Sequence, residues 1–414
     1  MKNNAKIFYG WWILIGSFLL NLAGIGIIIN SYGVFIKPVT ESLGFSRGGF
    51  TLYFSIAALA MMVMAPVIGK LLEKFNIRIV MTICTAMMSI SYALFSRCET
   101  LPQFYILAIF LGIGSAGSHI IPVSMMITNW FVKSRGLAMG LVFAASGIGG
   151  LIFNPLSNWL ILAYGWQSAY FIIGIIMFIL TVPTAIWIVR AHPKDKGLKP
   201  YGEDLAQSGR EQAEPGGFTA LQAFRTSSFW LLFIMILFIA IANMGVLHHI
   251  VPYLTDLGYS STTAASLMSL HMGMLILGKV LLGGLADRIG LSKSLLVCLI
   301  GFVIAISLLY GASFFWIAIL FNVLFGLTIS VRTVLPPLMT STCLGPKHFA
   351  VIYGFLNIAT TLGTAVGTPL SGFIFDATKS YNSAFAIYMV LGTIAAVLGL
   401  IALNRARWLP ETGQ

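Results

Sequence analysis

Runs of twenty or more mostly apolar residues, parted by short polar breaks, fill most of this 414-residue chain. A helix needs about 20 such residues to cross a bilayer. Cutting at the charged or turn-rich breaks predicts twelve spans: 9–36, 50–71, 78–97, 101–130, 136–162, 167–189, 226–254, 262–285, 292–311, 313–342, 349–375 and 383–404. They form two groups of six. The one long polar stretch, 190–225, is rich in Lys, Asp, Glu, Pro and Gly and reads as a solvated linker. The pattern therefore predicts an all-α membrane protein with a six-helix bundle over 1–189, a linker over 190–225 and a second bundle over 226–414.

The two groups repeat at an offset of 214 residues. Leu43-Gly44-Phe45-Ser46 returns as Leu257-Gly258-Tyr259-Ser260, and Pro155-Leu156-Ser157 returns as Pro369-Leu370-Ser371. Pro122, Lys133, Gly140 and Gly149 match Pro336, Lys347, Gly354 and Gly363. An even number of spans per half gives both halves the same orientation, about a pseudo-two-fold axis along the membrane normal. Such halves suit rocking about a site near the bilayer midplane.

Composition agrees. Only 9% of residues are charged, against about 25% in soluble domains. The net charge of +12 could suggest nucleic acid, but the charges lie in short loops. Placing both termini in the cytoplasm puts 18 of the 24 basic residues there, leaves four outside (Lys37, Arg47, Arg97 and Lys379), and strands Lys279 and Arg332 within spans. That asymmetry predicts cytoplasmic termini and an inner (plasma) membrane location. The four cysteines have no metal-ligand spacing. No phosphate-cradling loop, zinc-ligand set or nucleophile triad is present, so neither an enzyme nor a resident cofactor is expected.

The loop after span two, Gly69-Lys70-Leu71-Leu72-Glu73-Lys74-Phe75 with Arg78, resembles the loop signature of the major facilitator superfamily. Its copy after span eight, Gly283-Gly284-Leu285-Ala286-Asp287-Arg288-Ile289-Gly290, fits better. The resemblance implies a major facilitator fold, with Glu73, Lys74, Arg78, Asp287 and Arg288 as a charge latch. Within it the chain most resembles the monocarboxylate transporter family and its bacterial relatives, which include the oxalate:formate antiporters. The carrier of that likeness is Trp130-Phe131-Val132-Lys133-Ser134-Arg135-Gly136-Leu137-Ala138-Met139-Gly140 entering span five. Tyr9-Gly10-Trp11 keeps part of the first-span signature, without the acidic residue relatives carry before it. Gly278-Lys279 stands where relatives usually have an Arg. Relatives resembling the oxalate:formate antiporters use a span-eleven cation, and none lies here between Lys347 and Lys379.

Lys279 and Arg332 stand out independently of any family. Each costs about 2.5–3.5 kcal/mol at a helix centre on insertion scales, which marks intramembrane charge as functional by default. All twelve Asp and Glu lie in loops or at span ends, so the simplest missing counter-ion is a transported anion. Lys279 could instead snorkel to the interface, and Arg332 could bind helix-end carbonyls or close a gate. With no deep carboxylate, a histidine is the natural proton carrier. His119, beside the repeat-mate of Arg332, and His249 are the favoured cavity-facing histidines; His271, two turns before Lys279, is another candidate, as is Lys279 itself. Asn30, Tyr32 and Asn357 are further candidates for substrate contact, against a reading as interhelical glue.

The expectation is a monomeric secondary transporter moving a small carboxylate of the lactate or pyruvate class with a proton by alternating access. The alternatives are an organic-anion exchanger or a non-transporting sensor on a transporter fold.

Overall fold

The computed structural model describes residues 8–131, 135–202, 217–345 and 348–405. These form α1 (Gly10–Ile28), α2 (Gly33–Leu43), α3 (Arg47–Lys74), α4 (Ile77–Leu94), α5 (Leu101–Ala116), α6 (Ile120–Trp130), α7 (Arg135–Pro183), α8 (Ala220–Phe224), α9 (Ser227–Asp256), α10 (Ser261–Ile289), α11 (Leu291–Leu308), α12 (Phe315–Ile329), α13 (Val331–Leu344), α14 (Phe349–Thr378) and α15 (Asn382–Asn404). Eleven stretches among the described residues are long and apolar enough to cross a membrane. One of them, Leu137–Ile188, is 52 residues long and holds a non-helical residue, Gly165 at φ 80°. It accounts for two spans, which brings the number to twelve.

Three predicted spans are not continuous helices. Span one breaks between α1 and α2, span four at Gly117-Ser118-His119 between α5 and α6, and span ten at Ser330 between α12 and α13. Such breaks occur at membrane depth only where protein or a cavity satisfies the freed backbone groups.

The chain forms two compact units, one of Met1–Tyr32 with Leu59–Glu211 and one of Gly33–Ala58 with Gln212–Gln414. Residues 33–58, which the repeat assigns to the first six spans, thus pack with the second unit. Side-chain bonds explain the placement: Lys37 and Arg47 pair with Asp256, Asp376 binds the backbone of Arg47 and Gly48, and Ser55 donates to the carbonyl of Ala365.

The repeat has a local physical cause. Gly44 and Gly258 both take positive φ, 67° and 96°, where a side chain would be strained. Two residues later Ser46 and Ser260 accept from the N–H groups of Gly49 and Thr263, and so cap α3 and α10. In the first unit α1 packs on α7 so closely that a Cβ on Gly26 would lie 2.6 Å from Gly149 Cα, and one on Gly149 would strike the Leu22 carbonyl. The second unit repeats this between α9 and α14: a Cβ on Gly363 would lie 2.7 Å from the Leu237 carbonyl and against Ala240, the repeat-mate of Gly26. Small residues at these crossings let backbones touch, the principal packing device when lipid is as apolar as the core.

Gly149→Leu and Gly363→Leu should each lower the thermal midpoint of the purified protein and its folded yield, since overpacking typically costs about 1–3 kcal/mol. Gly140→Leu and Gly354→Leu, at glycines with open space around the would-be Cβ, should leave both unchanged in the same melting assay.

Candidate functional site

The second unit gathers Lys279 and Arg332. Gly278 has no room for a side chain because the Leu327 carbonyl of α12 presses on it, and this close seat fixes the level of Lys279 on α10. Arg332 is the second residue of α13, where first-turn N–H groups and the helix dipole already present a positive end. Its Nε is buried without a hydrogen-bond partner. The two cations lie within each other's electrostatic field, and Tyr353 of α14 lies within that of Arg332. The ion pairs among the described residues all belong to Lys37 and Arg47, so neither Lys279 nor Arg332 has a carboxylate mate there. Two cations share one region, an arrangement suited to an anion.

Tyr353 begins a polar stripe along α14. Asn357 follows one turn on and is exposed, then Thr361, Thr364 and Thr368. Thr361 donates to the Asn357 carbonyl and Thr364 to that of Thr360. At the far end Thr368 meets two histidines of α9. Its hydroxyl pairs with His248 Nδ1 at 2.8 Å, and its carbonyl accepts from His249 Nε2 at 2.9 Å. His249 Nδ1 lies 3.0 Å from the Tyr381 hydroxyl.

Tyr381 leads to Arg47, a residue the sequence places among the outward loop charges. Arg47 is only 7% exposed. Its guanidinium grips Asp256 with two bonds of 2.5 and 2.9 Å, donates to the Tyr381 hydroxyl at 2.7 Å and lies 3.9 Å over the Phe375 ring. Asp376 accepts from the backbone N–H groups of Arg47 and Gly48 at 2.9 and 2.7 Å, so it caps α3 from α14. Lys37 adds a 3.1 Å contact to Asp256.

The remaining sequence candidates fall elsewhere. In the first unit His119 caps α6: its Nδ1 accepts from the Ile120 N–H, and the ring packs against Gly24 of α1. Asn30 donates to the Ser146 carbonyl at 2.7 Å and its own carbonyl accepts from Asn154, which makes it interhelical glue. Tyr32 is buried. His271 is fully buried against Phe325 of α12. Of the loop latch, the side chains of Glu73 and Asp287 lie outside the described residues; Lys74, Arg78 and Arg288 make no ion pair among those described.

Sequence reasoning missed Tyr353, Thr368, Tyr381 and the pairing of Arg47 with Asp256 and Asp376. The signal available was slight: two acids at corresponding ends of spans seven and eleven. The two stretches that carry the family resemblance meet in the first unit, with Tyr9 on Trp130 (5.6 Å between ring centroids) and Trp11 on Phe131 (5.8 Å). Tyr9 also donates to the Ile188 carbonyl and the Tyr201 N–H to that of Trp130, which ties the start of the linker to this collar. The Tyr9, Trp11, Trp130 and Phe131 part of the signature thus packs as a structural collar; Val132, Lys133 and Ser134 lie outside the described residues.

The family model described as Major Facilitator Superfamily matches residues 13–290 and 238–413. Relatives include the mouse monocarboxylate transporter 12, 24% identical over 92% of this chain and 82% of its own length. The oxalate:formate antiporter of Oxalobacter formigenes is 26% identical over 95% of this chain and 92% of its own. YcxA of Bacillus subtilis, an uncharacterized MFS-type transporter, is 23% identical over 94% of each. Among solved structures, a bacterial homologue of the human lysosomal transporter Spinster superposes with TM-score 0.76 at 16% identity, covering 97% of this chain and 99% of that one. A nucleoside transporter, NupG, gives 0.72 at 13%, covering 96% and 99%. These structural likenesses bear on the fold alone. With twelve spans, an all-helical architecture and a family match along nearly its whole length, the chain belongs to the Major Facilitator Superfamily of multi-pass membrane transporters.

Proposed function

We propose that this protein is a secondary active transporter of small carboxylate anions, of the lactate or pyruvate class, moved with a proton by alternating access. One observation carries the reading: Lys279 and Arg332 share a region of the second unit and have no carboxylate partner among the described residues. Holding a cation in a span is costly, and two side by side repel. An anionic substrate relieves both penalties at once. Arg332 offers a planar donor fork to a carboxylate, and Lys279 a point charge. Tyr353 and Asn357, one turn apart on α14, supply neutral hydrogen-bonding groups for the rest of a small polar substrate.

The charge asymmetry of the loops supports cytoplasmic termini and an inner-membrane setting. The Arg47, Asp256 and Asp376 end of the spans then faces outward. Exchange is the second reading, favoured by the likeness to a relative named as an oxalate:formate antiporter. An exchanger needs no proton site.

A thermal-shift screen of small monocarboxylates should show stabilisation of the full-length protein. Lys279→Ala and Arg332→Ala should each weaken binding about 10- to 100-fold, the worth of a charge-assisted bond of about 1.5–3 kcal/mol. Ligand stabilisation that survives both substitutions undiminished would remove the cation pair from the site. In proteoliposomes, an inward-directed proton gradient should drive uptake into vesicles that contain no substrate. Uptake that demands preloaded anion and ignores a pH step would replace symport with exchange.

A further inference from the structure

We infer that His249, Tyr381 and Arg47 form a proton-responsive clamp: with His249 neutral it fastens residues 33–58 to the second unit, and a proton on His249 releases them. The outward placement of the clamp rests on the orientation proposed above; its chemistry does not.

The hydrogen-bond directions carry the argument. The Tyr381 hydroxyl has one proton to give. It accepts from Arg47, which has only donors, and therefore gives its proton to His249 Nδ1. Burial pushes this hydroxyl above its ordinary value, so it stays protonated and able to donate. His249 Nε2 faces the Thr368 carbonyl, which can only accept, so the ring hydrogen sits on Nε2 and Nδ1 is bare. The chain from Arg47 through Tyr381 and His249 to Thr368 is complete in one protonation state.

A second proton on Nδ1 breaks it. The Tyr381 O–H and the new N–H then point at one another, and the hydroxyl loses its hydrogen bond to His249. The new positive charge also enters a cluster already served by few acids. Facing it are Arg47 at the start of α3, Lys37 of α2, Asp256 and His248 of α9, Asp376 and Thr368 of α14, and Tyr381 before α15. Asp256 already answers both Lys37 and Arg47, while Asp376 is engaged with the N–H groups of α3.

What the clamp holds is defined by close packing. A Cβ on Gly372 would lie 2.7 Å from Gly48 Cα, and one on Gly33 would lie 2.6 Å from the His248 carbonyl. Phe54 stands edge-on to the His248 ring at 4.5 Å. Contacts this tight are made or lost together. A proton that prefers the released state by its binding free energy shifts the clamp by that amount and no more. The sign follows: the fastened state gains as pH rises and loses as pH falls. Acid on the outer face thereby favours the released state, ready for loading.

The test places spin labels on cysteines at Ser42 and Ala377, both exposed and both in the second unit, in the full chain; Cys84, Cys98, Cys298 and Cys343 are buried. Distances are measured without substrate in lipid from about pH 8 to about pH 5. Lowering the pH should raise the long-distance population, by up to about tenfold per pH unit for one proton. His249→Gln keeps an acceptor and a donor but cannot titrate, and should stay short throughout. Tyr381→Phe cuts the link while sparing the Asp256 and Asp376 bonds, and should lose the pH response. Arg47→Gln should be long at every pH. A pH-independent wild-type distance, or a His249→Gln protein that keeps the full response, would overturn the clamp's proton control. Because no carboxylate is present, either result stands apart from success or failure of the substrate assignment.

Discussion

A cation in hydrocarbon must find something negative, and this fold answers that demand in two opposite ways. Arg47 is met in full by a bidentate carboxylate, a hydroxyl and an aromatic face. Its charge has become a structural bond holding residues 33–58 where they pack. Lys279 and Arg332 are left without such mates among the described residues, although they lie within spans, where charge is costly. On the proposed function, the contrast separates a cation that shapes the protein from cations kept for a ligand. Breaking the first strips Asp256 of its bidentate partner and the Tyr381 hydroxyl of a donor; neutralising the second pair relieves repulsion.

The repeat supplies the frame for this division. At α1 on α7 and at α9 on α14, glycines 214 residues apart bring backbones into contact, and paired Gly-x-Ser turns start α3 and α10 in the same way. The linker follows the same symmetry. Tyr201 N–H bonds to the carbonyl of Trp130 as the chain enters it, and Phe218 N–H to that of Leu344, the repeat-mate of Trp130, as the chain leaves. The duplicated scaffold is close-packed and short of polar groups. The copies differ where the proposed anion site lies: Ser118 in the first corresponds to Arg332 in the second.

Much of this was legible from residues alone, because span count and duplication follow from hydropathy period and fixed offsets, both local or additive properties. The stranded Lys279 and Arg332 were visible for the same reason. The clamp was not. Arg47 looks like any loop cation until Asp256, 209 positions later, is folded beside it. Likewise nothing local separates His249, bonded on both sides, from His271, packed against Phe325, or reveals that Asn30 is spent on the Ser146 carbonyl. Hydropathy also draws spans one, four and ten as unbroken. Their interruptions depend on which neighbour accepts the freed backbone groups, as His119 does for Ile120.

The polar stripe of α14 joins the two answers. From Tyr353, in the field of Arg332, to Thr368, bonded to both histidines, it covers sixteen residues, about 22 Å of helix. A rigid helix that carries the anion-facing tyrosine at one end and the clamp's threonine at the other cannot shift at one without moving the other. Coupling between substrate and proton then needs no shared residue. It needs an element whose two positions are each preferred by one of the ligands, which is the physical content of a coupling free energy. On this view the sparse chemistry of the chain is sufficient: a pair of unanswered cations, one answered cation, a histidine between two committed partners, and a helix that links them.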